Sequence, residues 1–165
     1  MAKHVATLDL PEGGIIATVL RKHGLDTGNT PPDLGTVLKR IREARDLSLC
    51  EAAVRSGYVP EKCRHLYSER DLRVRGLSRQ TLNRLENGTA KRVTHKKFYN
   101  LKNLHIIGFK NLLLHAYLLS EEEITFVMQL YDCNRKRQIV AWYRLECRQK
   151  QSDMQALRAA FSTPF

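Results

Sequence analysis

Leu77-Ser78-Arg79-Gln80-Thr81-Leu82-Asn83-Arg84-Leu85-Glu86-Asn87-Gly88 reads as a short helix with both ends marked. Ser78 is an N-cap, a residue whose side-chain oxygen accepts a hydrogen bond from a free backbone N–H of the first turn. Leu82 and Leu85 supply an inward face, and Asn87-Gly88 offers the left-handed exit that a helix C-terminus favours. Arg79, Gln80, Asn83 and Arg84 then point away from the core, and a basic loop, Thr89-Ala90-Lys91-Arg92, follows.

Upstream, two more helices carry equally clear start signals. Asp33 caps a helix running to about Arg45, with Leu34, Val37, Leu38 and Ile41 on one face and Lys39, Arg40, Arg42 and Arg45 on the other. Ser48 starts a second helix, and Glu51, three residues on, completes a Ser-x-x-Glu capping box; Ser56-Gly57 ends it. Between Gly57 and Leu77 lies a segment of about 19 residues, 58–76, containing Pro60 to Tyr67 and then Arg70, Arg73 and Arg75.

The flanks are also helical in pattern. At the N-terminus, Val5 to Leu10 and Ile15 to Leu20 surround Pro11-Glu12-Gly13-Gly14, which suits a hairpin turn, while Ile15 to His23 before Gly24 suits a helix with a glycine stop; the reading leans to the helix. Asp26 to Pro32 is turn-forming and marks a boundary. After the basic loop, a fourth helix is expected from Thr94 with Phe98, Leu101 and Leu104 on one side. In the tail, Ser120-Glu121-Glu122-Glu123 caps a helix with Ile124, Val127, Met128 and Tyr131, and Arg135-Lys136-Arg137 is read as a break before a last helix with Ile139, Val140, Tyr143 and Cys147.

The 165 residues carry a net charge of +11 and 42% hydrophobic residues, enough for a folded core. Residues 36–97 hold 16 basic and 7 acidic side chains, residues 1–35 hold 3 and 4, and 98–165 hold 9 and 6. The excess therefore sits in the middle third, the electrostatic footprint of a polyanion binder and equally that of a solvated basic face. No apolar run of membrane-spanning length and no secretion-signal pattern are visible, so a cytosolic or nuclear protein is expected. Cys50, Cys63, Cys133 and Cys147 form no Cys-x-x-Cys pair and are read as reduced thiols.

Taken together, Leu34 to Leu104 resembles the helix-turn-helix domain of the phage Cro and repressor type, also called the xenobiotic-response-element (XRE) type. The match is densest at Leu82 to Arg92, where Leu-Glu-Asn-Gly is followed by Lys-Arg. The resemblance implies that Arg79, Gln80, Thr81, Asn83 and Arg84 lie where base edges and neighbouring phosphates are contacted. It also implies that Ser78, Asn87, Lys91 and Arg92 lie where phosphates are held. Physics agrees with such roles: Arg bonds guanine O6 and N7 in a fork, Gln or Asn bonds adenine N6 and N7, and phosphate contacts set register. Two departures stand out. The turn between the second and third helices carries the insertion 58–76, whose Arg70, Arg73 and Arg75 are candidates for extra DNA contacts, with a packing or partner-binding loop as the alternative. Leu49 stands where the family often has a phosphate-contacting Gln.

The expectation is therefore an all-α Cro/repressor-like helix-turn-helix bundle with an insertion in the turn and two C-terminal helices. Its regions are an N-terminal arm or helix with a Pro-rich linker (1–32), the DNA-binding domain (33–110) and a C-terminal helical dimerisation region (111–165). It is expected to be a transcriptional regulator, a repressor or autoregulator, that binds double-stranded DNA as a homodimer on a palindromic operator. For such a DNA binder the expected location is the cytoplasm, nucleoid-associated when bound to DNA. No catalysis, cofactor or metal is expected: Cys63-x-His65 lacks a second ligand pair, and the glycines lack a phosphate-loop context. Alternatives are an antitoxin or restriction-modification control protein, which adds a protein partner, an RNA-binding module using the basic face, and the targeting domain of a recombinase or nuclease system. The absence of an aromatic on the third helix counts against RNA.

Overall fold

The structure is a computed structural model, and it describes residues 8, 10–25, 31–70, 76–87 and 103–162. The described residues are helices and their connections, with no strand among them. In chain order they are α1 (Gly14–Lys22), α2 (Leu34–Ala44), α3 (Leu49–Arg55), a 3-10 turn (Glu61–Leu66), α4 (Arg79–Asn87), α5 (Asn103–Asn111) running into a π-helical turn (Leu112–Ala116), and α6 (Glu121–Ser162).

The local signals do what their chemistry dictates. Asp33 Oδ2 accepts from Thr36 N at 3.0 Å, opening α2. Ser48 and Glu51 form the reciprocal box, with Ser48 N donating to Glu51 Oε2 at 2.7 Å and Glu51 N to Ser48 Oγ at 3.2 Å. Ser78 Oγ accepts from Thr81 N at 3.1 Å at the head of α4. Ile15 to Lys22 is helical, not a hairpin arm, and stops as the glycine predicts: Gly24 has φ +60°, and Leu25 N reaches back to Leu20 O at 2.9 Å. The helix expected from Thr94 falls mostly outside the described residues, and so does Gly88.

One core unites these elements. Leu34, Val37, Leu38 and Ile41 of α2 are fully buried and meet Ile16, Val19 and Leu20 of α1, Leu82 and Leu85 of α4, Phe109 of α5, and Phe126, Val127 and Leu130 of α6. Gly35 is the point of closest approach between α2 and α4: a Cβ there would strike the carbonyls of Leu85 and Glu86.

Two expectations are corrected. The tail is a single unbroken helix of 42 residues, about 63 Å long, rather than two helices. Arg135-Lys136-Arg137 contains good helix formers and no Gly or Pro, so basic character alone supplies no break. At that point Asn134 is buried: its Oδ1 accepts from Leu34 N at 3.2 Å, and its Nδ2 donates to Pro32 O at 3.1 Å and Leu130 O at 2.9 Å. A mid-helix asparagine thus ties α6 to the start of α2. Secondly, Arg42 and Arg45 do not belong to a solvated basic face. Arg42 turns inward to Glu86, and Arg45 Nε donates to Tyr117 O at 2.9 Å.

Glu123 is a second buried junction. Its Oε1 accepts from Ser120 N at 3.2 Å in the capping box of α6, while its Oε2 accepts from Ile16 N at 3.0 Å in the first turn of α1. One carboxylate thus satisfies the N-termini of two helices, where the helix dipoles favour negative charge. Gly14, at φ +91°, leaves the room it needs.

Candidate nucleic-acid interface

The surface of interest is the outer face of α4, and its orientation follows from what its inner face buries. At 100° per residue, Arg79, Gln80, Asn83, Arg84 and Asn87 fill one arc of about 140°. All five are exposed, whereas Leu82, Leu85 and Glu86 occupy an adjoining arc of about 100° and are buried. The structure therefore brings together, on one side of a single helix, five of the twelve residues singled out from sequence.

Three contacts hold this helix in place. Glu86, 6% exposed, receives Arg42 in a two-point pair: Nε to Oε1 at 2.6 Å and Nη2 to Oε2 at 3.0 Å. Arg42 Nη1 also donates to Leu47 O at 2.7 Å, so the guanidinium links α4, α2 and the α2–α3 turn. The hydrogen bond to Glu86 holds the Arg42 pKa above its ordinary value, against a smaller opposing effect of desolvation. The second contact is Ser56, buried at the end of α3, whose Oγ accepts from Leu77 N at 3.0 Å and donates to Ala53 O at 2.6 Å. The third is the tight crossing at Gly35.

Ser56 also explains how 19 extra residues are accommodated between α3 and α4. Gly76, at φ +31°, has no room for a Cβ, which would strike Tyr58 N, Ser56 Oγ and Gly57 C, so the two ends of segment 58–76 meet. The segment leaves and returns at the same place, as an Ω-loop does. Consequently α3 and α4 stand as neighbours, as a short turn would set them. Gly108 of α5 backs this stem, with no space for a side chain against Gly76.

The insertion forms one wall of a cleft of about 640 Å³ lined by Leu49, Tyr58, Arg64, Ser78, Arg79, Gln80 and Asn83. Leu49 is half-buried against the core and forms the floor from the start of α3. Arg64, on the exposed 3-10 turn, thus shares a concave surface with Arg79 and Gln80. Sequence reading pointed to Arg70, Arg73 and Arg75 in this loop and passed over Tyr58 and Arg64. Proximity in space follows here from the closed stem, and no residue pattern announces it. Arg70 is exposed, and Arg73 and Arg75 lie outside the described residues, as do Lys91 and Arg92.

The individual side chains differ in readiness. Thr81 Oγ1 and Ser78 Oγ are 3.0 Å apart, and both serve the helix start. Asn87 Nδ2 donates to Asn83 Oδ1 at 2.7 Å, an amide pair that a ligand must open or bridge. Arg79, Gln80 and Arg84 are exposed, and neither arginine is in an ion pair among the described residues. No group of three or more metal-ligating side chains occurs among the described residues, and no helix there is long and apolar enough to cross a membrane. Compared with models of protein families, with curated proteins and with solved structures, the chain matches none.

Proposed function

We propose that this protein is a sequence-specific double-stranded DNA-binding regulator of the Cro/repressor type, with α4 as the helix that enters the major groove. The observation that carries the reading is the division of α4 into a buried, anchored side and an exposed side bearing Arg79, Gln80, Asn83 and Arg84. A helix held from behind by two others fits the major groove, and these side-chain types have the forked or paired donors and acceptors that distinguish base pairs there. Closure of the insertion at its stem supports the reading, because it leaves α3 beside α4. Thr81 flanks the base-reading residues, and Ser78, Asn87, Lys91 and Arg92 hold phosphates. The regulator acts in the cytoplasm as a homodimer on a palindromic operator, with neither catalysis nor cofactor.

The test is selection of bound sequences from a randomised duplex pool at about physiological salt, with Arg84→Ala in parallel. A palindromic motif that loses one or two defined positions in the variant is the expected result, at a cost of about 1–3 kcal/mol on the preferred site. Equal losses on specific and random duplexes would refute base reading by α4.

One observation favours a second reading. Tyr58 lies beside Arg79 and Gln80 in the cleft, supplying the aromatic that α4 itself lacks, and unpaired RNA bases are recognised by stacking on such groups. Enrichment of single-stranded RNA over duplex DNA, abolished by Tyr58→Ala, would select that reading.

A further inference from the structure

The second half of α6 carries an apolar sequence pattern that is exposed. From Val140 onward, Val140, Tyr143, Cys147, Lys150, Met154, Leu157 and Phe161 follow a strict three-four spacing, the a and d positions of consecutive heptads. Six of these seven are apolar. All are exposed: Val140 at 48%, Tyr143 at 57%, Met154 at 52%, Leu157 at 53% and Phe161 at 87%. Residues 148–162 are exposed throughout. A helix of this kind, carried past the core with an apolar stripe on one side, is unstable alone in water unless the stripe is covered.

The stripe also has a direction. Within the body, α6 packs through Glu123, Val127, Leu130 and Asn134. At 100° per residue the 140–161 stripe lies roughly on the opposite side of the helix. A partner helix seated on it therefore approaches from the side away from Glu123, Val127, Leu130 and Asn134.

Charge identifies both the partner and its orientation. With Val140 at a, the flanking g positions include Glu146 and Asp153, and the e positions include Arg144 and Arg158. In a parallel, in-register pair of identical helices each g residue faces the e residue five positions later on the partner, which sets Asp153 opposite Arg158. Two antiparallel pairs also match the apolar layers. The one that sets Cys147 opposite Leu157 brings Asp153 against Asp153 and Arg144 against Arg158, and the one that sets Cys147 opposite Lys150 brings Glu146 against Asp153, so each meets like charge. Either one also leaves the two bodies about 44–54 Å apart along the axis. Lys150, at a d position, is the one polar residue in the stripe and costs stability there. Its Nζ lies 3.9 Å from Glu146 of the same helix, and its stem can lie along the seam with the head in water.

We propose that residues 140–161 of α6 form a parallel, in-register two-stranded coiled coil with a second copy of this chain, so that the two Cys147 side chains face each other. This deepens the dimeric reading above and names its surface. The two bodies then flank the seam at the same end of the coiled coil, the arrangement that two neighbouring half-sites require. Cys147 is exposed in the single chain.

The experiment uses the full chain without nucleic acid, so its outcome is independent of DNA reading. Cys50, Cys63 and Cys133 are replaced by Ser, and the remaining thiol is treated with diamide, which takes up the two electrons and two protons released as one S–S bond forms. A disulfide-linked dimer that forms within minutes and is absent from the Cys147→Ser control is expected, because facing a positions meet the short Cα separation a disulfide needs. In the antiparallel pair that sets Cys147 opposite Leu157 the two sulfurs stand about 15 Å apart along the axis and do not link. The antiparallel pair that sets Cys147 opposite Lys150 is told apart by Met154→Cys in the Cys147→Ser background: its sulfurs would stand about 16 Å apart there, whereas the parallel pair links at 154 as well. Sedimentation at tens of micromolar, with all four cysteines present, is expected to give a dimer. Leu157→Asp should give a monomer with an unchanged melting temperature of the body, since Leu157 touches none of the core. A native chain that sediments as a monomer, a dimer that survives Leu157→Asp, or a dimer that does not link through Cys147 would each overturn the proposal.

Discussion

Glu86 shows how one side chain serves the fold and the candidate interface together. It lies within the Leu-Glu-Asn-Gly stretch, yet it is buried and takes Arg42 in a pair with 13% and 3% side-chain exposure. Removing one member of such a pair leaves the other charge buried without compensation. Arg42→Ala is expected to cost about 3–5 kcal/mol in urea unfolding, and Arg42→Met combined with Glu86→Leu much less than either change alone. Tyr117 offers a second test at this scale. It is fully buried, its hydroxyl has no hydrogen-bond partner among the described residues, and burial, with a smaller push from Glu86, raises its pKa well above the usual tyrosine range. The unfolded chain therefore loses this proton near pH 10 while the folded chain keeps it. Stability is intact below that pH and falls progressively above it. Tyr117→Phe should flatten the alkaline limb of the stability profile and cost little at neutral pH, as followed by denaturant midpoints between pH 8 and 11.

At the scale of elements, the short helices depend on their caps. α3 has only seven residues and opens with the Ser48–Glu51 box, so Ser48→Ala is expected to cost about 1 kcal/mol. Hydrogen bonds from the backbone N–H and then the hydroxyl of Ser48 hold the Glu51 carboxyl below its ordinary pKa. That stabilisation is present above the ordinary carboxylate value and is lost as pH falls through the lowered one. Glu51→Gln should accordingly show a shallower decline in stability than the native chain below about pH 4.5, measured by thermal unfolding against pH. The insertion behaves as an element in its own right because its two ends meet at Ser56 and Gly76. Closing a loop costs free energy only logarithmically in its length, so the extra residues can be carried without parting α3 from α4.

For the whole molecule, the excess of positive charge in residues 36–97 and the anchored α4 make one prediction about binding. If a dimer neutralises six to ten phosphates, log affinity should fall against log salt with a slope of about −5 to −9. Replacing Lys91 or Arg92 by Ala should reduce that slope by about one per dimer-related contact and weaken all duplexes alike. Fluorescence anisotropy across salt concentrations measures both. A slope near zero would mean that the positive field serves something other than a polyanion. The long helix α6 is joined to the body through α1 and α2, since Asn134 and Glu123 tie it to the starts of α2 and α1.

Sequence alone was sufficient for what depends on near neighbours in the chain. The caps at Asp33, Ser48 and Ser78, the glycine stop at Gly24 and the inward leucines of α2 and α4 are decided within three or four residues, because helix hydrogen bonds and helix faces repeat at that distance. The exposed arc of α4 follows from the same periodicity. Only the tertiary structure decided the rest, because each remaining feature joins residues far apart along the chain. Arg42 looked like one more surface cation until folding set it against Glu86, 44 positions away. Arg64 and Tyr58 came to the candidate interface because the insertion closes on itself. Arg135 to Arg137 looked like a break, and α6 runs through it because nothing there removes a backbone hydrogen bond or frees the chain, while Asn134 ties this part of the helix to the start of α2.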